Sequence, residues 1–176
     1  MLRLVRKILA SCANYTGKFI AFATALMVFI MFTSTLLSQL FSINFIALQE
    51  SVTWLHAAVF MLGAAYTLQH NEHVRVDIFY HRFSNKTQAI IDIVGTILFL
   101  FPLCIFILYS SWGFVEVSWK LKEASAEAGG LPAVYLMKSL ILIMPVLLIV
   151  EGVHQIVCNI EKLSSNTPAD NKGATL

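Results

Sequence analysis

Four long apolar stretches, separated by short charged connections, dominate this chain of 176 residues. They fall at about residues 19–40, 52–69, 88–112 and 131–158. About 20 apolar residues in helical form cross the hydrocarbon core of a bilayer. A helix also satisfies its own backbone hydrogen bonds where no water is present. The pattern predicts an all-α integral membrane protein with four transmembrane helices. The first stretch carries no charge, Glu50 stands just before the second, and Asp92 lies near the start of the third. Pro132 is expected in the first turn of the fourth, where its missing N–H costs a helix nothing. Only 12% of residues are charged, against roughly 25% in a soluble domain. One compact membrane domain over residues 1–163 takes up nearly the whole chain, and residues 164–176 read as a disordered cytoplasmic tail.

The N-terminus contains Leu9-Ala10-Ser11-Cys12, which looks like a lipoprotein processing box. A cleavable signal needs an apolar core before its cleavage site. Arg3, Arg6 and Lys7 occupy that space, so an uncleaved basic segment leading into the first span is expected. Cys12, Cys104 and Cys158 share no metal-ligand spacing and read as free thiols.

Lys and Arg in short flanks set orientation. One side has Arg3, Arg6, Lys7, Lys18, Arg75, Arg82, Lys86, Lys162 and Lys172. The other has Lys120, Lys122 and Lys138, offset by Glu116, Glu123 and Glu127. Both termini are therefore predicted to be cytoplasmic. Two short amphipathic interfacial segments are expected. One runs from Val76 to Phe83 along the headgroups. The other, Trp112 to Ala128, continues the third helix until Gly129-Gly130 ends it. Ser84 offers a cap for that helix.

Ionisable residues inside a membrane are functional candidates by default. Here Asp92 and Glu151 fall near cytoplasmic ends and Glu50 at the opposite edge, each within reach of water, a headgroup or a cation. This depth favours structural pairing over ion coupling. His70, His73 and His81 match no metal-site spacing. Two histidines on neighbouring helices could hold haem, but His56 and His154 lie in opposite halves of the membrane. Ala57, Ala58, Gly63, Ala64 and Ala65 allow another helix to approach closely, from this chain or from a partner.

Certain wording goes further. Glu50 with Trp54, Leu62-Gly63-Ala64-Ala65-Tyr66 and above all His73-Val74-Arg75-Val76-Asp77 are joined by Ser84, by Asp92 with Gly95, and by Ser110-Ser111-Trp112. Glu127-Ala128-Gly129-Gly130-Leu131-Pro132 and Lys138-Ser139-Leu140 complete the set. On these residues the chain resembles the small membrane subunit of tripartite ATP-independent periplasmic (TRAP) transporters, the DctQ-like family. Gly-Gly-Leu-Pro with Lys-Ser is similar to the mannitol/chloroaromatic branch, although Pro145 comes later than that pattern has it.

The resemblance implies a non-catalytic subunit of the bacterial inner membrane, with no cofactor, metal, substrate or nucleic acid of its own. Its partners would be a large DctM-like membrane subunit, holding the substrate and sodium sites, and a periplasmic DctP-like binding protein that captures an organic acid. Glu50, Trp54, Gly63, His73, Arg75, Asp77, Asp92 and Lys138 are the expected structural or partner contacts. Glu50 and Trp54 would anchor the second helix, Lys138 would pair with Glu50 or Glu127, and Arg75 and Asp77 would form charge-assisted bonds. The readings left beside it are a haem- or quinone-binding membrane anchor and a small self-sufficient exporter. An exporter would want a carboxylate in its first helix, and residues 19–40 have none.

Overall fold

The computed structural model of the chain describes residues 2–69 and 83–164, with side chains from Gly17 onward except those of Gln69, Asn85, Lys162 and Ser164. The described residues form helices and loops and contain no strand: α1 (Leu2–Phe41), α2 (Ile46–Gln69), α3 (Asn85–Gly95), α4 (Phe101–Leu121) and α5 (Val134–Ser164). A π-helical turn, Thr96–Leu100, joins α3 to α4. Four helical stretches are long and apolar enough to cross a membrane: Gly17–Phe41, Ile46–Leu68, Lys86–Leu121 and Val134–Glu161. The expected all-α fold with four spans is therefore present. His73, Arg75, Asp77, the interfacial segment from Val76 to Arg82 and the tail beyond Ser164 lie outside the described residues.

Local chemistry explains where these helices start, bend and stop. Ser84 caps α3, its hydroxyl accepting from the Thr87 N–H. Pro102 has no N–H and its ring crowds the carbonyl one turn earlier. The wider π turn just ahead takes up that mismatch, with the Phe101 N–H reaching back to the Thr96 carbonyl. The Thr96 hydroxyl also donates to the Asp92 carbonyl at 2.8 Å.

Two expected boundaries are corrected. The third span does not continue to Gly129; it ends at Leu121 because Lys122 adopts the left-handed conformation (φ 48°, ψ 49°). The Glu123 N–H then closes the helix end onto the Ser118 carbonyl at 3.1 Å, a C-terminal motif more usual with glycine. The fourth span starts at Val134 rather than Leu131. Pro132 lies in the loop before it, and Ala133 turns the chain with φ 74°.

The helices form an open layer in the order α1, α2, α5, then the α3–α4 span, and not the compact arrangement expected. α1 packs on α2, α2 on α5, and α5 on α3, the π turn and α4; α1 meets α5 only slightly. Close approach depends on two glycines. A Cβ on Gly17 would lie 2.5 Å from the Tyr66 ring, and one on Gly152 would lie 2.9 Å from both Leu100 and Phe101. The core, Leu68, Cys104 and Leu148, sits where α2, α4 and α5 meet. Fully buried side chains include Pro145, Cys104 and Ser118, while Phe22, Phe29, Phe99 and Phe106 face outward. Lipid is as apolar as a leucine side chain, so small and polar residues gain most from turning inward.

Candidate functional site

The loop end of the layer, where residues 122–133 pass over the start of α2, is organised around Glu50. One carboxylate oxygen accepts the Leu131 N–H at 2.5 Å, and the other accepts the Ser125 hydroxyl. Ser125 Oγ in turn accepts the Glu127 N–H at 3.1 Å, and the Ser125 N–H donates to the Leu131 carbonyl at 3.2 Å. Gly130 leaves room for this arrangement, because a Cβ there would lie 2.8 Å from Glu50 Oε1. Glu50 thus closes the loop onto α2. Trp54, one turn further along α2, is half-buried.

Lys138 on α5 pairs with Glu123 at 2.5 Å, not with Glu127, and not with Glu50, whose carboxylate is used within the loop. Its ammonium also lies 4.1 Å from the Phe114 ring centre. The Lys138 ammonium holds the Glu123 carboxyl below the usual carboxylate range. Beside this pair, Trp119 and Tyr135 meet edge to face at 4.7 Å. Lys122 sits over both rings, 5.0 Å from Trp119 and 4.9 Å from Tyr135. The Trp119 indole N–H donates to Ser139 Oγ at 2.8 Å. These contacts tie the end of α4 to the start of α5 and offset the left-handed geometry at Lys122.

The opposite end is held by polar residues of α5. Gln155 donates to the Leu68 carbonyl at 2.5 Å, in the last described turn of α2. Glu151, expected to find water, a headgroup or a cation, is 7% exposed and meets His154 Nδ1 at 2.9 Å. His154 Nε2 lies 3.5 Å from Cys158 Sγ. Both ring nitrogens are therefore engaged, while His56 is exposed in the other half of α2. The haem-anchor reading draws no support from this geometry.

Of the expected contact residues, the structure places Glu50 and Lys138 in the same loop-end region, with separate partners. Asp92 is half-buried on α3. Gly63 has only Ile20 near it, 3.9 Å from an added Cβ, so the tight glycines between helices are Gly17 and Gly152 instead. Sequence reasoning missed Ser125, which carries no periodic signal, and the Glu151–His154 pair, whose i, i+3 spacing could have revealed it. Among the described residues no group of three His, Cys, Asp or Glu is placed to hold a metal ion.

Glu50, Ser125, Lys138, Trp119 and Gln155 each fasten one part of the chain to another. The fold is that of a multi-pass helical membrane protein. The family model "Tripartite ATP-independent periplasmic transporters, DctQ component" matches residues 27–162. The chain belongs to this family and is a small, non-catalytic membrane subunit of a TRAP transporter. No curated protein and no solved structure matches it.

Proposed function

We propose that the chain is the small subunit of a sodium-coupled TRAP importer of organic acids in the bacterial inner membrane. It packs against the scaffold of a DctM-like large subunit, which binds sodium and substrate, and widens that scaffold in the bilayer. Its loop end faces the periplasm and helps to dock a DctP-like binding protein. The observation that carries this reading is the family match over residues 27–162, which takes in nearly all of the four spans. The fastened loop is consistent with docking: Glu50, Ser125 and Lys138 hold a defined surface rather than a slack connection. Cytoplasmic termini follow from the distribution of Lys and Arg.

The test is co-expression with a DctM-type subunit and a DctP-type binding protein, reading complex recovery and sodium-dependent uptake in vesicles. Arg75→Ala should lower assembly and uptake together. Loss of sodium binding from an intact complex carrying Arg75→Ala would overturn the scaffold role.

A further inference from the structure

The second span keeps polar side chains exposed along one face. On α2, Gln49, Thr53, His56 and Phe60 are exposed, whereas their neighbours on either side are partly covered. Their spacing sets them in one stripe along the helix. Beside the stripe, between the loop-end halves of α1 and α2, opens a cleft of about 370 Å³. Its lining includes Ser34, Thr35, Ser38, Gln39 and Gln49.

The two threonines use their hydroxyls on their own helices, Thr35 on the Met31 carbonyl and Thr53 on the Gln49 carbonyl. The side-chain amide of Gln49 and the imidazole of His56 have no partner among the described residues. His56 lies about 10 Å further along the axis than Gln49, beyond the level of the α1–α2 turn. An amide or imidazole facing hydrocarbon without a partner is costly. The exposed face of the third span, by contrast, presents Leu98, Phe99, Leu103 and Phe106 over its middle, with Tyr109 and Ser110 beyond them toward the loop end.

We infer that the α1–α2 face bearing Gln49, Thr53 and His56 docks a membrane-spanning helix that offers hydrogen-bonding side chains of its own. The cleft would receive a projecting polar side chain, and Phe60 would continue the contact with apolar packing. This rests on the function proposed above, under which the helix belongs to the large subunit. It adds which face of the layer turns toward that subunit and which turns toward lipid.

The experiment is recovery of a co-expressed DctM-type subunit on the tagged chain, purified in mild detergent. The triple variant Gln49→Leu, Thr53→Val, His56→Leu should lower recovery about tenfold, from the loss of a few interhelical hydrogen bonds. Its helical circular dichroism should stay unchanged. His56→Asn, which keeps a hydrogen-bonding group, should retain most recovery, and Tyr109→Leu on the lipid-facing side should leave it intact. Wild-type recovery with undiminished binding of the triple variant overturns this inference alone. So does an equal loss in Tyr109→Leu. Failure of the wild-type chain to recover the large subunit removes the proposed function and this inference with it.

Discussion

Glu50 holds Leu131 across 81 positions of sequence: the Leu131 N–H donates to Glu50 Oε2 at 2.5 Å, and Ser125 binds the other oxygen. One carboxylate at the start of α2 therefore sets the path of the loop from α4 to α5. Glu50→Ala should free that loop, seen as rapid protease cleavage between residues 122 and 133 while the four spans stay helical. Glu50→Gln, which keeps an acceptor for one of the two donors, should fall between. A loop equally resistant in Glu50→Ala would show that backbone turns alone hold it.

Gly152 should tolerate nothing larger. A Cβ there meets Leu100, Phe101 and Thr96 within 3.1 Å, so Gly152→Leu must push α5 away from the π turn. The expected loss is about 1–3 kcal/mol, typical of overpacking, measured by denaturant unfolding in detergent. At Gly113, where nothing lies within 4 Å of an added Cβ, alanine should be neutral.

The Lys138–Glu123 pair predicts a pH dependence of defined sign. Lys138 holds the Glu123 carboxyl below its ordinary value of 4.5. A depressed folded-state value contributes stability that is fully present above the ordinary value and fades as pH falls through the lower one. Thermal stability should therefore drop on acidification below about pH 4.5, and Glu123→Gln should flatten that part of the profile. An unchanged profile in Glu123→Gln would assign the acid sensitivity elsewhere.

The buried Glu151–His154 contact should matter more than its distance from any expected site suggests. Glu151→Ala leaves the His154 Nδ1–H without its acceptor in a covered position. The expected cost is about 1–3 kcal/mol, with Glu151→Gln recovering part of it, read from unfolding midpoints.

The spans and the capped start at Ser84 were legible in the sequence because hydropathy length and cap chemistry are local. The end of α4 was not. Gly129-Gly130 looked like the stop, yet Lys122 took the left-handed turn, its ammonium over the Trp119 and Tyr135 rings of two different helices. The order of the helices was not legible either. On α2 the polar residues Gln49, Glu50, Ser51, Thr53 and His56 spread around the helix, so no apolar stripe in the sequence marks which side packs on α1 and α5. Glu50 was recognisable as important by its position, but its partners lie in a loop whose path only the fold defines. His73, Arg75 and Asp77, the strongest family wording, lie outside the described residues, so their contacts stay with the proposed function.

The open order of the helices has a further consequence. A single row of rods is a fence with two sides, and a fence encloses nothing. Any hydrated passage for a solute must therefore have at least one wall built by another chain. On the function proposed above, selectivity is written in the neighbour's residues, and substitutions along this row should change how much is carried before they change what is carried.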